Sequence, residues 1–533
     1  MMATGNFRHF GVMLDCSRNK VMKVSELKKF IDCLVKMGYN TLELYTEDTY
    51  EIKGEPYFGH FRGRYTAKEI KEIDAYATEK GVELIPCVQT LAHFTNMVKW
   101  GREYWDIIDC NDILLIGEER TYEFIEKIFK TLAENFTSRN VNIGMDEAHM
   151  VGLGKYLDKH GYRDRSEILL EHLNKVSEIA EKYGFTAHMW SDMFFRLINH
   201  GEYYGENLQI TEEVKNLVPK NIELAYWDYY HTKEKEYDNM FNAHKDFGKN
   251  VWFAGGAWTW CGFAPANWYT VQTMEPAMRS VRRCGIEDVI ITMWGDDGGE
   301  CSFYSALPVL YAIRQYADGI YDLRTIKDGF KATFGYKYSH FMRLDFPNKI
   351  SDETKLWNVR NQAKMFLYND PFLGLDDPYL AEAGCVAYEE YAETLFETAK
   401  KTGEYGYLFD LMGKLCHVLD VKAELGIRTR KAYQEQNMKE LKALIKDYKI
   451  AIKRMKVFYE AFKAYWFKEN KPFGFEVHDI RLSGVIARLE SCKQRLSDYV
   501  KGKIPQIEEL KVKATQKGRM GWTYQYMASA STI

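Results

Sequence analysis

No Cys-x-x-Cys pair occurs in this 533-residue chain, and its ten cysteines follow no repeating spacing. Zinc ribbons and thioredoxin-like redox motifs are thereby excluded. The scattered thiols read as free cysteines in a reducing, cytoplasmic setting. Met1 to Phe10 is polar and holds no apolar signal core. No run of about 18 apolar residues exists, so no membrane-spanning helix is expected. Excess positive charge is missing too: the formal net charge is −4 and the pI about 6.4, unlike the basic footprint of a nucleic-acid binder. Asp146-Glu147-Ala148-His149 spells a helicase signature, but a helicase also needs a Gly-x4-Gly-Lys-Ser/Thr phosphate loop. Gly154-Lys155-Tyr156, Gly248-Lys249-Asn250 and Gly413-Lys414-Leu415 all lack its hydroxyl residue. Neither a nucleic acid nor a membrane is an expected partner.

Apolar residues make up 46% of the chain, enough for a large core, and aromatics 15%. Over the first 330 or so residues, short apolar runs alternate with longer helical patterns. The runs are Phe10–Asp15, Thr41–Tyr45, Val82–Val88, Val141–Met145, Phe185–Trp190, Ile222–Trp227, Val251–Gly255 and Asp288–Trp294. Gly38, Gly81, Gly184 and Gly285 stand where a preceding helix would end. Ser25–Met37 and Ala67–Lys80 are two of the expected helices. Eight strand–helix repeats argue for an α/β fold, a (β/α)8 TIM barrel over residues 1–335. Periodicity alone leaves an open doubly wound sheet as the alternative. Past Gly335 strand-like runs vanish and amphipathic patterns take over at Glu382–Lys401, Tyr407–Glu424, Thr429–Glu469 and Ile480–Val500, broken by Gly or Pro. Residues 336–533 are therefore expected to form an α-helical C-terminal domain, either a dimer interface or a buttress for the barrel. The final stretch, 521–533, is not helical in pattern and is expected to pack back on the barrel.

Barrel enzymes place their chemistry at the C-terminal ends of their strands. There the sequence has Asp15 to Arg18, Glu47-Asp48, His93, Asp146-Glu147, Trp190 to Asp192, Tyr226 to Tyr230, Trp258 with Trp260, and Trp294 to Asp297. Indole faces with acids between them suit a pyranose, whose C–H faces stack and whose hydroxyls need polar partners. Paired carboxylates suggest glycoside hydrolysis. Adjacent residues on one strand point in different directions, so Asp146 and Glu147 are not the usual acid and nucleophile flanking a bond. One is expected to reach the glycosidic oxygen and the other to act elsewhere on the sugar.

These residues resemble a known family. "VNIGMDEAH" is similar to the Asp-Glu motif of glycoside hydrolase family 20, the β-N-acetylhexosaminidases. "FGVMLDCSR" and "YTED" resemble its first- and second-strand motifs, and "WSDM" and "WGDD" its fifth- and eighth-strand Trp motifs. The similarity covers about residues 8 to 300. It looks closest to a bacterial exo-acting subgroup with a helical C-terminal domain. The resemblance implies substrate assistance, in which the acetamido oxygen attacks the anomeric carbon and the enzyme supplies no nucleophile. Glu147 would be the general acid, then the base on water. Asp146 would hold the acetamido N–H and stabilise the oxazolinium. Arg18 would bind distant ring hydroxyls, and Asp296 another, on a shorter arm than the family's usual Glu. Asp48 and His93 would form an outer relay tuning Glu147. Trp190, Trp227 and Trp294 would box the acetamido group, with Trp258 a fourth candidate. The Tyr donating to the acetamido oxygen is missing from the seventh strand; Tyr229, beside Asp228 on the sixth, is the choice, with Tyr226 the alternative. With the first barrel strand starting near Phe10, the family's small N-terminal domain is expected to be either trimmed from this sequence or dispensed with in this branch.

The resemblance implies no cofactor and no metal. A metal reading would use Asp146, His149 and His188, but a His at a helix start is the favoured reading of His149. A non-catalytic carbohydrate-binding barrel is the alternative to an enzyme. The expected partner is a glycan or glycoconjugate with a terminal N-acetylhexosamine, and a homodimer is the one protein partner considered.

Overall fold

In a computed structural model the described residues are 7–296, 298–350, 361–383 and 387–517. The stretch 521–533, expected to pack on the barrel, lies outside them. Eight strands, β1 (His9–Asp15), β2 (Thr41–Tyr45), β3 (Glu83–Cys87), β4 (Asn140–Asn142), β5 (Thr186–Trp190), β6 (Ile222–Trp227), β7 (Val251–Gly256) and β8 (Asp288–Met293), close in sequence order into a parallel barrel. His9 pairs with Asp288 where β8 meets β1. The open-sheet alternative is thereby excluded.

Side-chain alternation along the strands sorts their residues into two compartments. Met13, Tyr45, Ile85, Cys87, Trp190, Ala225, Trp252, Ala254 and Ile290 pack inside the barrel. Their neighbours Phe10, Val12, Leu14, Leu42, Leu44 and Leu84 join the shell formed with the helices. The helix Val24–Met37 shows how the shell is made. Its buried Leu27, Phe30, Ile31 and Leu34 lie on one stripe, and Gly38 ends it in the left-handed region at φ 86°. The helix Ala67–Glu79 begins with a capping box between Thr66 and Glu69.

Two sequence expectations are corrected. The fourth strand stops at Asn142 rather than Met145, because Gly144, Met145 and Glu147 all adopt positive φ and leave the extended conformation. The helical run expected over Thr429–Glu469 is two helices, Leu425–Gln434 and Met438–Glu469. The break is made by Gln436 at φ 53° and by Asn437, whose side chain accepts from Glu440 N, rather than by Gly or Pro.

Beyond Met293 the described elements are all helical. Phe475–Val500 packs along the 32-residue helix Met438–Glu469. The helical region is sewn to the barrel by polar contacts. Glu469 accepts from Ser302 Oγ at 2.7 Å and from Tyr407 Oη at 2.6 Å. Lys364 Nζ meets Glu300 at 2.6 Å with both side chains buried. Among the described residues no helix is long and apolar enough to cross a membrane.

Candidate active site

The turn after β4 brings Asp146 and Glu147 together. Gly144 lies against the Gln89 side chain, and a Cβ there would overlap the Gln89 amide. That close approach lets Gln89 Nε2 donate to Asp146 Oδ1 at 2.9 Å and to Tyr45 Oη at 3.0 Å. His93 Nε2 lies 3.3 Å from Asp146 Oδ2 and 3.9 Å from Glu147 Oε2. The two carboxylates therefore converge on one imidazole edge instead of diverging as strand neighbours would. Asp146 is largely enclosed, its side chain 16% exposed, whereas Glu147 is 54% exposed. Glu47, His93, Met145 and Glu147 all hold left-handed backbone, and such strain persists only where the surroundings enforce it.

The electrostatics follow from this packing. Burial opposes charge on His93, but Asp146 beside it dominates and raises the imidazole to about 9. Burial would likewise raise the Asp146 carboxyl, but the His93 charge, its hydrogen bond and Gln89 reverse that and hold it below the ordinary carboxylate value. At neutral pH the pair is an imidazolium and a carboxylate. Behind them lies Asp192, fully buried, with neither oxygen in a full hydrogen bond and with Arg196 Nε 3.5 Å from Oδ2 as its ion-pair partner. Burial, then repulsion from Asp146, pushes its pKa up to about 7. The ligand atoms of His93, Asp146 and Glu147 lie within 4.8 Å of one another, a donor set that could hold a cation. The proton on His93 competes for that position, since a metal ligand must be deprotonated.

Around the pair lies a cleft of about 200 Å³ lined by Arg18, Tyr45, His93, Asp146, Glu147, Trp190, Trp227, Tyr229, Tyr230, Trp260, Trp294 and Asp296. Trp294 stands edge-on to Tyr45 at 4.8 Å and near Trp190 at 6.1 Å. Trp227 stacks on Tyr229 at 5.6 Å. The Trp190 Nε1 is buried without a partner. Arg18 pairs with Glu47 at 3.3 Å and also feels Asp15 and Asp296, which places it at the wall shared by β1, β2 and β8.

The cleft collects Arg18, His93, Asp146, Glu147, Trp190, Trp227, Tyr229, Trp294 and Asp296 from the residues picked out in the sequence. It does not collect Asp48, Asp228 or Trp258. Asp48 pairs with Arg62 at 3.3 Å, so the expected Asp48–His93 relay does not form. Glu47 turns inward in its place because its left-handed φ of 43° breaks the strand alternation. Asp228 is buried and serves its own turn, accepting from Tyr226 Oη at 2.5 Å, His231 Nδ1 at 2.6 Å and the Tyr230 amide at 3.0 Å. Trp258 stands behind the wall, stacked on Trp260 at 4.3 Å with Nε1 donating to Tyr229 O at 3.1 Å. Tyr226 points out of the barrel among Phe241, His244 and Phe253; only Tyr229 of the two tyrosines lines the cleft. Asp146, His149 and His188 do not assemble, for His149 is exposed and His188 is buried beside Glu43 at 3.0 Å.

Sequence reasoning placed Glu47, Asp192, Tyr230 and Trp260 at the strand ends without giving them a role, and passed over Tyr45 and Gln89. Tyr45 and Trp260 carried a usable signal, an inward parity in β2 and a second indole two residues after the first. Gln89 carried none, because its role depends on the bare Cα of Gly144. No described residue of the helical region lines the cleft, but the region braces the loop beside it. The loop bearing Trp294 and Asp296 is clamped between Asp15, which accepts from Gly295 N at 2.9 Å, and the Glu300–Lys364 pair.

The sequence model of the glycosyl hydrolase family 20 catalytic domain matches residues 7–247, and that of the glycoside hydrolase 20C C-terminal domain matches residues 339–518. A β-hexosaminidase of Vibrio furnissii is 27% identical over 214 residues, 32% of this chain and 35% of that protein. One of Akkermansia muciniphila is 24% identical, covering 41% of this chain and 53% of that protein. The chain thus spans about a third to a half of these relatives' length. Among solved structures, an exo-β-N-acetylglucosaminidase from Vibrio harveyi aligns with a TM-score of 0.48 at 18% identity, over 63% of this chain and 58% of that one. A Flavobacterium johnsoniae chitobiase aligns with a TM-score of 0.49 at 15% identity, over 95% of this chain and 74% of that one. With both of its principal regions matched by models of one family, the chain belongs to glycoside hydrolase family 20.

Proposed function

We propose that the protein is an exo-β-N-acetylhexosaminidase that releases terminal, non-reducing β-linked GlcNAc or GalNAc with retention, through a substrate-assisted oxazolinium. One observation supports this reading above the rest: Asp146 and Glu147 share a single imidazole edge at 3.3 and 3.9 Å. A two-carboxylate retaining enzyme holds its acid and nucleophile about 5–5.5 Å apart across the scissile bond. Two carboxylates on the same side meet the sugar from one direction, so the nucleophile comes from the substrate.

In this reading the exposed Glu147 protonates the leaving oxygen and then deprotonates water. Asp146, kept ionised by His93, accepts the acetamido N–H and faces the positive charge that develops on the ring. Tyr229 donates to the acetamido oxygen, and Trp190, Trp227 and Trp294 enclose the methyl. Arg18 and Asp296 meet the hydroxyls at the far end, which closes the cleft to further sugar and favours exo action. The free cysteines among the described residues fit a cytoplasmic enzyme fed with short oligosaccharides.

The test is release of nitrophenol from β-GlcNAc and β-GalNAc aryl glycosides. Turnover of neither, with free sugar still bound, would leave a carbohydrate-binding barrel. A GlcNAc-thiazoline mimics the oxazoline and should bind far more tightly than GlcNAc; equal affinity removes the substrate-assisted mechanism. Chelation with EDTA should leave turnover unchanged, whereas a loss restored by zinc would make His93, Asp146 and Glu147 a metal site.

A further inference from the structure

A second cluster of aromatic rings stands outside the cleft lining, and of its apolar members only Trp100 packs against the core. It comes from the loops after β2 and β3. Trp100 lies 5.2 Å from Tyr57 and 5.4 Å from His60, and the His60 ring lies 4.0 Å from Phe61. Tyr57 is 40% exposed and Phe61 68%. Two exposed rings held in one cluster with half-buried His60 and Trp100 are unlike the scattered single apolar side chains normal on a protein surface.

The backbone makes the cluster harder to dismiss. Phe61 has φ 61°, a conformation that Gly, Asn and Asp adopt cheaply and a bulky side chain does not. Its ring gains little burial in exchange. The loop is pinned beneath it: the Arg62 guanidinium donates to Ser17 O, to Asn19 Oδ1 at 3.2 Å and to Asp48 at 3.4 Å. Strain held in place by surrounding bonds is a mark of functional surfaces.

The position decides the ligand. Ser17 precedes Arg18 of the cleft wall, and Trp100 follows His93 across one short helical turn, Thr95–Val98. His93 is also the neighbour of Glu147, the side from which a leaving group departs. We infer that Tyr57, His60, Phe61 and Trp100 form a stacking platform for the second and third pyranose rings of the glycan whose terminal ring occupies the cleft. Flat aromatic faces bordered by the polar edges of Tyr57 and His60 suit sugar C–H faces, as the indoles of the cleft do. This inference rests on the proposed hydrolysis of terminal sugars, and its test separates the two.

The experiment uses the full chain and the fastest-hydrolysed member of a panel of β1,2-, β1,3-, β1,4- and β1,6-linked trisaccharides ending in N-acetylhexosamine. Phe61→Asn and Trp100→Ala should each lower kcat/KM on that trisaccharide by roughly fivefold to tenfold, through KM. Asn relieves the left-handed strain, so the melting temperature of Phe61→Asn should equal or exceed the parent's; weaker glycan binding then cannot be blamed on unfolding. In a Glu147→Gln background, calorimetric affinity for the intact trisaccharide should fall by the same factor, while affinity for free GlcNAc changes less than about twofold. Equal effects on both ligands, or none on the trisaccharide, overturn the platform. A change of oligomeric state in light scattering with glycan affinity intact would make the patch a protein interface and also overturn it. If trisaccharide binds through the platform but is never hydrolysed, the platform stands and the hydrolase reading falls.

Discussion

The two ends of the barrel are built from the same residue types and treat them in opposite ways. At the floor, Asp288 accepts from Arg8 Nε at 2.9 Å, His9 Nδ1 at 2.6 Å and Asn250 at 2.8 Å. Glu83 accepts from Ser138 at 2.7 Å, Asn140 at 2.9 Å and His9 Nε2 at 3.1 Å. The Trp252 indole lies flat between His9 and His188, at 4.7 and 4.1 Å, and donates to Glu223 at 2.6 Å. At the mouth, Trp190 Nε1 is buried with no hydrogen bond and Asp192 has only Arg196 at 3.5 Å, and Glu47, His93, Met145 and Glu147 hold left-handed backbone. At the floor Asp288, Glu83 and Trp252 all find their partners within the protein. The mouth leaves polar groups and strain uncompensated, in keeping with a site that a ligand completes.

The sharpest way to break this contrast is substitution at each end. Glu147→Gln should lower kcat on substrates with poor leaving groups by roughly 10²–10⁴-fold and leave the melting temperature unchanged. Activity should recover on aryl glycosides with good leaving groups; Asp146→Asn should not show that recovery, and equal losses on both substrate types would undo the two roles. At the floor, Asp288→Asn should act the other way. It leaves Arg8 and His9 short of a buried counter-charge, a loss of about 3–5 kcal/mol read from denaturant midpoints, with kcat/KM of the folded fraction retained.

The same Asp→Asn change at Asp192 should carry the opposite sign. Its folded pKa stands raised to about 7, so the ionised form costs stability progressively as pH rises from the ordinary carboxylate range through 7. Asp192→Asn should therefore raise the melting temperature at pH 8 and much less at pH 5. A loss at both values would mean that the ion pair with Arg196 outweighs the cost of burying the carboxylate. The floor has its own pH signature. Glu83 and Asp288 are depressed to about 2, Glu83 chiefly by its bond from His9 and Asp288 by Arg8 and His9 against the cost of burial. Their stabilisation is present above their unfolded pKa values and is lost as pH falls toward 2. His9, raised to about 9 by Asp288 and Glu83 against burial, contributes fully below about 6.5 and loses that contribution as pH rises through 9. His93 shifts in the same direction, so activity should fall over the same alkaline range, and His9→Gln should move the stability limb without moving the activity limb. The smallest effect belongs to the layer behind the wall. Trp258→Phe keeps the stack on Trp260 and deletes the bond to Tyr229 O, a cost of about 1 kcal/mol, visible as a severalfold rise in KM.

The eight strands and the helical region were legible because each leaves a local signal: an apolar run, a helical period, a terminating Gly. The Trp and carboxylate positions at the strand ends were legible for the same reason. The expected site residues that do not line the cleft stand one or two positions from ones that face the site. Asp48 was taken for Glu47 and Trp258 for the cleft-lining Trp260, because turns after a strand do not keep its alternation. The relay was misassigned because a single left-handed residue turned Glu47 inward and left Asp48 to Arg62.

By itself the sequence determined the eight strand–helix repeats, the helical region that follows them, and the adjacency of Asp146 and Glu147. Those properties are set by periodicity and by neighbours along the chain. Only the tertiary structure decided that the strands close into a barrel, that both carboxylates meet one histidine, that Gln89 reaches Asp146 past a glycine with no side chain, and that Asp192 is buried behind them beside Arg196. Each of these depends on groups far apart in sequence being pressed together, where burial and Coulomb interaction set charge states that no local pattern encodes.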